Sequence, residues 1–318
     1  MIAVNLLAVC ALDGILGDPR WLPHPIRLMG AFVNWCEPVV RSRFVSGTGR
    51  RIGGSILALF VAGTSFWVAW GVLEVAFFMH PWFGHLLWIL LGYTTLAAKD
   101  LAAHAWVVYS RLQAGSVNEA RDAVAFMVGR DTGRLTESEI ARATIESVAE
   151  STSDGVIAPF FYLVIGGPPL ALAYKAVNTL DSMIGHREAP YADIGWASAK
   201  LDDLMNVIPA RLSARLLVLS SCFHHTAIAN VWRIYRRDCA KHASPNSGHP
   251  EAAMAGALGV RLGGSSIYQG IRVDRPQIGD PANAPQARHI PMAIELMWLS
   301  FGMAIVLGLA FITLWNGI

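Results

Sequence analysis

The chain has 318 residues, 54% of them hydrophobic and only 15% charged, with a formal net charge of +2. Soluble domains average about 25% charged residues, so this composition excludes a disordered or heavily solvated chain, and the small net charge argues against a nucleic-acid partner. Four scattered cysteines, Cys10, Cys36, Cys222 and Cys239, include no C-x-x-C pair and make no disulfide framework.

The basic residues are unevenly placed. There is no Lys or Arg in Met1–Pro19, Ile52–Ala98 or His289–Ile318. A bilayer core needs about 20 mostly apolar residues per helix, and these regions hold four candidate spans, 2–16, 53–79, 82–98 and 290–315. The first is short and carries Asp13, and Met79–Trp82 reads as the tight turn between the middle two. With no basic n-region, the first segment reads as a retained helix rather than a cleaved signal.

Two more apolar stretches, 155–177 and 204–229, are interrupted. The first contains Gly166-Gly167-Pro168-Pro169, and the second contains Pro209, Arg211 and Arg215. Proline removes amide donors, and broken backbone at membrane depth is tolerated only under cover of protein or a wet cavity. Both read as re-entrant or protein-buried helices. The expected fold is a polytopic all-α integral membrane protein with broken or re-entrant helices and cytoplasmic helical loops, a single domain over 1–318. The loop after the first helix carries Arg20, Arg27, Arg41, Arg43, Arg50 and Arg51, and 230–288 carries eight more Lys and Arg. The positive-inside rule places both in the cytoplasm, with both termini outside.

The polar stretches read as sites. Lys99–Asp154 is helical and amphipathic, broken at Gly115 and at Gly129–Gly133, with Arg130 and Asp131 in the second break. Thr136 and Glu139 form a capping box for a helix expected to reach Asp154. Glu146, Glu150 and Asp154 recur at i, i+4 and i+8 on one face. Like charges at that spacing repel, which either a solvated acidic face or a divalent cation accommodates. Asp154 abuts an apolar segment, where ionisable groups are usually functional.

Lys175, Asn178 and Asp181 share a face next, a trio suited to phosphate, metal and polar substrate or to a snorkelling lysine beside capping groups. Lys200, the pair Asp202-Asp203, Asn206, Arg211 and Arg215 follow, and arginine grips carboxylate or phosphate bidentately. Of the adjacent acids, at most one points into a shared site. Ser244, Asn246, His249 and Glu251 open a small-residue helix whose free amides suit an anion. Gly259–Ser266 reads as a glycine-rich loop without the Walker A pattern. No His or Cys spacing fits zinc, and His224-His225 reads as packing. Gly17-Asp18-Pro19 and Gly279-Asp280-Pro281 both read as turns.

Several blocks in order carry a family resemblance: LDGILGDPRWLPHPIRLMG (12–30), VGRDTGRL (128–135), ESVAESTSDGVIAPFFY (146–162), YKAVNTLDSMIGH (174–186), GWASAKLDDLMNVIPARLSA (195–214), HASPNSGHPEAAMAGALGVRLGG (242–264) and IGDP (278–281). On these the chain resembles the cobalamin-biosynthesis CbiB/CobD family, the membrane-bound adenosylcobinamide-phosphate synthases, over nearly its whole length. Ser151 and Ser153 depart from the Asn and Val expected there.

The resemblance implies an ATP-dependent carbon-nitrogen ligase of the inner membrane, its site facing the cytoplasm. It joins a carboxylate of adenosylcobyric acid to aminopropanol phosphate or aminopropanol, with ATP and Mg2+, and a membrane complex with other pathway enzymes is an expected partner. In that frame Glu146, Glu150 and Asp154 are Mg2+ ligands or a base. Lys175, Asn178 and Asp181 hold nucleotide phosphates and a second metal contact. Lys200 and Arg211 hold the activated carboxylate or the donor phosphate, and Asp202 or Asp203 is the base. Ser244, Asn246, His249 and Glu251 close the site, and Arg130 and Asp131 are outlying members. The rival readings are a non-enzymatic sensor of a related-looking family or a small transporter. A transporter would carry inverted repeats, which are not evident. A prenyltransferase-like site lacks its D-D-x-x-D form.

Overall fold

The structure is a computed structural model that describes residues 1–19, 24–186, 190–224, 227–280 and 283–315; Arg20, His225, Pro281 and Ile318 lie outside them. It is an all-α polytopic membrane protein with one small β-hairpin. The helices are α1 (Ile2–Leu16), α2 (Pro25–Arg43), α3 (Gly47–Met79), α4 (Pro81–Tyr93), α5 (Ala98–Gln113), α6 (Val117–Ala125) and α7 (Glu137–Ser151). A π-turn over Thr152–Ile157 leads into α8 (Ala158–Ile184), followed by α9 (Trp196–Met205) and α10 (Val207–Ser220). A 3-10 turn at Ser221–His224 precedes α11 (Ile228–Asp238), α12 (Gly248–Leu258), strands β1 (Leu262–Tyr268) and β2 (Ile271–Ile278), and α13 (His289–Trp315).

Four helical stretches are long and apolar enough to cross a membrane: Gly47–Met79, Pro81–Gln113, Glu137–Ile184 and His289–Trp315. They are not the same four expected from composition. Segment 2–16 is helical but has 15 residues, about 22 Å at 1.5 Å per residue, too short to cross a core of about 30 Å unaided. Span 53–79 begins earlier, at Gly47, because Ser46 caps it by accepting from the Gly49 amide at 3.0 Å. Span 82–98 ends early, at Tyr93, where turn hydrogen bonds from Thr95 and Leu96 replace the helical ladder. The Met79–Trp82 turn is real, and only His80 separates α3 from α4.

The chain divides into two compact units. The first comprises Met1–Ala97, Ala158–Asn206 and Gly308–Ile318. Its core joins Val33 of α2, Leu57, Ala58 and Val61 of α3, Ala176, Leu180 and Ile184 of α8 and Ala197 of α9. Close approach to α3 requires Gly54, where a Cβ would lie 1.9 Å from the Ile194 carbonyl oxygen. Within α8 the backbone leaves helical geometry at Gly166 and Gly167, and Gly167 has φ +66 and ψ −167. Pro168 and Pro169 supply no amide donors there. The Tyr162 and Tyr174 rings stack 5.0 Å apart across this break, so the second arm folds back toward the first. The interrupted stretch 155–177 is therefore a bent pair of arms.

The second unit comprises Ala98–Ile157 and Val207–Leu307. Its centre is α12, where every residue except His249 is buried. A helix apolar all round belongs in an interior, and α7, α10 and α11 pack on it. Stretch 204–229 resolves into α10, buried through Pro209, Ala210, Ser213, Ala214, Leu216, Leu217, Val218 and Ser220. The Thr136–Glu139 capping box is present, but α7 stops at Ser151 rather than reaching Asp154. The expected glycine-rich loop is largely strand: β1 pairs antiparallel with β2. Gln269 and Gly270, with φ +51 and +78, make the two-residue turn, both positive as a type I′ hairpin turn demands.

Candidate functional site

The second unit collects acids from two helices. Glu146 and Glu150 come from α7 and Glu251 from the first turn of α12. Glu146 is buried and fully engaged. Its Oε2 accepts from Arg130 Nη2 at 2.5 Å, its Oε1 accepts from the Gly263 amide at 2.8 Å, and Arg142 Nε stands 3.8 Å from Oε1. Burial alone would lower the pKa of Arg130, but the charge and hydrogen bond of Glu146 outweigh it and raise the value. Glu150 Oε1 accepts from Ser247 Oγ at 2.9 Å.

Glu251 is 4% exposed. Burial, then the charges of Glu146 and Glu150, push its pKa well above the carboxylate range, while Arg275 and Arg130 oppose the shift. Facing Glu251 is His242, whose Nε2 lies 3.8 Å from Glu251 Oε1. The Ser244 amide donates to His242 Nδ1 at 3.0 Å, which places the proton of the neutral ring on Nε2, toward Glu251. Burial holds the pKa of His242 down. Glu146 and Glu251 are buried, whereas Glu150 is exposed and is tied to the loop before α12 through Ser247; a charged carboxylate at Glu251 is thus disfavoured first by its own burial.

The loop before α12 is organised by Ser244, whose Oγ accepts from the Asn246 and Ser247 amides, both at 3.2 Å. Asn246 Oδ1 accepts from Arg211 Nη1 at 3.5 Å, and Arg211 Nη1 also donates to the Val207 carbonyl at 2.7 Å. Arg211 is thus tied to its own helix and to this loop. His249 Nδ1 lies 3.0 Å from the Tyr235 hydroxyl. Burial first, then Arg211 and Arg215, bring the His249 pKa down to about 4. Asp154 is half-buried in the π-turn, a device common at functional sites that alters the helical phase between Glu150 and Asp154. Arg130 belongs to this cluster. Its neighbour Asp131 accepts from the Gln269 amide at 3.2 Å and the Gly270 amide at 2.8 Å, fixing the hairpin tip.

The first unit holds the remaining six predicted residues. Asp202 is nearly buried. Its Oδ1 accepts from Asn178 Nδ2 at 3.3 Å and its Oδ2 from Asn206 Nδ2 at 3.0 Å, while Tyr174 donates to Asn206 Oδ1 at 2.9 Å. Asp202 is therefore a bracket between α8 and α9. Asp203 pairs with Lys200 at 3.4 Å on the exposed side. Lys175 is buried at 9% and Asp181 is half-buried. The close turn at Gly185 would set a Cβ 2.0 Å from Asp181 Oδ1.

Residue-by-residue sequence reasoning missed His242, Ser247, Arg142 and Arg275. His242 stood at the head of the HASPNSGHP block, and Arg142 stood four residues before Glu146, the spacing of a helical ion pair. Among the described residues no group of three or more His, Cys, Asp or Glu is arranged to hold a metal ion. A hard cation held by one or two carboxylates and by substrate phosphates needs no such cage. Glu150, which uses Oε1 alone to accept from Ser247 among the described residues, and Glu251 fit that donor set.

A family model described as CobD/Cbib protein matches residues 6–297. The chain is 46% identical over 307 residues to the cobalamin biosynthesis protein CobD of Klebsiella pneumoniae, covering 96% of each chain. It is 48% identical over 296 residues to CobD of Geobacter metallireducens, covering 93% of this chain and 92% of that one. It is 43% identical over 310 residues to the cobalamin biosynthesis protein CbiB of Salmonella typhimurium, covering 96% and 97%. No solved structure matches the chain. With α2 through α12 and the charged clusters falling inside that match, the chain belongs to the CobD/CbiB family.

Proposed function

We propose that the protein is a membrane enzyme of cobalamin biosynthesis that forms an amide between a carboxylate of adenosylcobyric acid and aminopropanol phosphate, driven by ATP. Family membership supports the pathway, and one observation supports the chemistry most. Glu251 is a buried carboxyl whose charge is disfavoured by burial and by Glu146 and Glu150, and a phosphate-bound cation would stabilise that charge.

A carboxylate is a poor acyl donor because oxide is a poor leaving group. Transfer of the γ-phosphoryl to a carboxylate oxygen, with release of ADP, gives an acyl phosphate. The amine nitrogen then attacks the carbonyl carbon, the C–N bond forms, phosphate leaves and the ammonium proton passes to a base. In this reading Glu150 and Glu251 hold Mg2+, which supplies charge neutralisation on the phosphoryl oxygens. Glu146, Arg142 and Arg130 brace α7 against the hairpin. In the first unit Lys175, Asn178 and Lys200 act on anionic groups of the substrates, Asp181 supplies a second cation contact and Asp203 is the more accessible acid of its pair; in the second unit Arg211 acts on an anionic group and Asp154 joins the metal-side acids. Ser244, Asn246 and His249 shape the loop that presents Glu251. In this reading the chemistry faces the cytoplasm from the inner membrane, which the basic loops support through the positive-inside rule.

The test is amide formation by purified protein supplied with ATP, Mg2+, adenosylcobyric acid and aminopropanol phosphate, read by mass of the product. ATP hydrolysis that requires both the corrinoid and the amine supports the reading. Hydrolysis indifferent to the corrinoid, or no product at all, overturns it.

A further inference from the structure

In the first unit, the elbow between α2 and α3 concentrates arginine at one end of a helix long and apolar enough to cross a membrane. Arg41 and Arg43 close α2, and Arg50 and Arg51 stand in the first turns of α3. From Ile52 to Ala98 there is no Lys or Arg, so α3 carries its positive charge at one end only. None of these arginines has a part in the amide-forming reading.

Two of the four are already answered. Glu37 pairs with Arg41, whose guanidinium lies over the Tyr191 ring. Asp193 Oδ1 accepts from Arg51 Nε at 2.9 Å. Arg43 and Arg50 are left. Arg43 is exposed, and among the described residues no hydrogen bond or ion pair engages its side chain. Arg50 is half-buried and donates from Nε to the Phe44 carbonyl at 3.3 Å, which draws its guanidinium onto the end of α2, next to Arg43. Among the described residues no acid pairs with either, so two positive charges stand uncompensated at the elbow. The outer face of α3 continues from them as hydrocarbon. Ile52, Ile56 and Leu59 recur at i, i+4 and i+7 on one stripe, and each is more than half exposed. Trp196, 46% exposed, lies beside Arg51 with 6.0 Å from the guanidinium to its ring centre, and tryptophan favours the boundary between lipid and water.

We propose that the α2–α3 elbow binds an anionic phospholipid, its phosphodiester held by Arg43 and Arg50 and its acyl chains lying along Ile52, Ile56 and Leu59. The guanidinium fork matches phosphate oxygens, and basic groups at the end of a spanning helix attract anionic headgroups. A zwitterionic lipid fits less well, because two uncompensated guanidiniums repel its own ammonium. Free phosphate fits the charges but leaves the apolar stripe uncovered. The site is independent of the reaction proposed above.

The experiment equilibrates the full-length protein, in a non-ionic detergent, with an equimolar mixture of dioleoyl phosphatidylglycerol and dioleoyl phosphatidylcholine, and counts each bound lipid by native mass spectrometry. The parent is expected to retain phosphatidylglycerol in preference. Arg43→Gln should cut that preference by roughly fivefold and the double variant Arg43→Gln with Arg50→Gln by roughly thirtyfold, the scale of one and of two arginines at a charged membrane surface. Arg43→Lys should keep most of it, and added salt should weaken it. Arg236→Gln, at an exposed arginine of α11 in the second unit, removes the same charge elsewhere and should change nothing. Arg43 is exposed, so Arg43→Gln should melt with the parent and carries the test alone if the double variant does not fold. Equal retention of the two lipids by the parent overturns the site, as does an unchanged preference in Arg43→Gln or an equal loss in Arg236→Gln. Displacement of the lipid by glycerol 3-phosphate at equal concentration also overturns it, since the chains would then contribute nothing.

Discussion

Tyr162 stacks on Tyr174 with ring centroids 5.0 Å apart and planes within 19°, although an unbroken helix would separate residues twelve apart by about 18 Å along its axis. The contact is possible only because α8 bends at Gly166 and Gly167. Both rings are then anchored, Tyr162 to the Met205 carbonyl at 2.8 Å and Tyr174 to Asn206 at 2.9 Å. The bend thereby delivers the second arm, with Lys175 and Asn178, to the Asp202 bracket of α9.

Gly167 should be the residue on which this arrangement turns. Its φ of +66 with ψ of −167 is a region reserved for glycine, costing other residues about 1–3 kcal/mol. A Cβ there would also press to 3.2 Å from Trp88 Nε1. Gly167→Ala should lower the melting temperature in detergent and shift tryptophan fluorescence. Gly63→Ala, at a helical site where an added Cβ meets nothing within 4 Å, should do neither. Equal melting of both variants would refute the assignment.

Much of this was legible in order along the chain, and the failures have physical causes. Gly166-Gly167-Pro168-Pro169 announced a break because two glycines and two prolines cannot sustain a ladder, but whether the chain kinks or turns back depends on partners such as Trp88 that are remote in sequence. The Thr136–Glu139 cap was readable because capping is local. The π-turn at Thr152–Ile157 was not, since it carries no composition signal. Glu146 and Glu150 were visible as a pair at i, i+4. Their third companion, Glu251, arrives from another helix a hundred residues on, and periodicity cannot register a tertiary approach. The Gly263-Gly264 run looked like a loop because glycine is rare in strands; here it admits the Arg142 guanidinium.

Glu146 and Glu251 should respond to mutation in opposite directions. Glu146→Ala strands the buried Arg130 and orphans the Gly263 amide, and breaking a buried pair costs about 3–5 kcal/mol. The double variant Arg130→Met with Glu146→Leu should recover most of that loss. Glu251→Gln removes a carboxyl crowded by Glu146 and Glu150, so it should raise the melting temperature in Mg2+-free buffer while abolishing amide formation. A large drop in stability for Glu251→Gln would show that its charge is structurally required.

The hairpin tip should loosen without the body. Asp131 accepts from the Gln269 and Gly270 amides, and its own amide donates to the Ile267 carbonyl at 2.8 Å. Asp131→Ala deletes only the side-chain acceptors. Hydrogen exchange at Gln269 and Gly270 should accelerate by roughly tenfold, as expected for loss of a charge-assisted bond of about 1.5 kcal/mol, while the melting temperature stays within a degree or two of the parent. Uniform acceleration across the second unit would mean that the turn supports more than its own tip.

His249 should impose a pH dependence of known sign. Its pKa is down to about 4 in the folded protein, through burial and then the charges of Arg211 and Arg215, against about 6.5 in an unfolded chain. Above 6.5 both states hold the neutral ring. Between 6.5 and 4 the unfolded state takes up a proton that the folded state refuses, so stability falls as pH drops through that window. Below 4 both states are protonated and the loss stops growing. The melting temperature of His249→Gln should therefore decline less than that of the parent from pH 7 to pH 4, with the two curves running parallel above pH 7. Curves parallel throughout the acid window would show that His249 is not held neutral by Arg211 and Arg215.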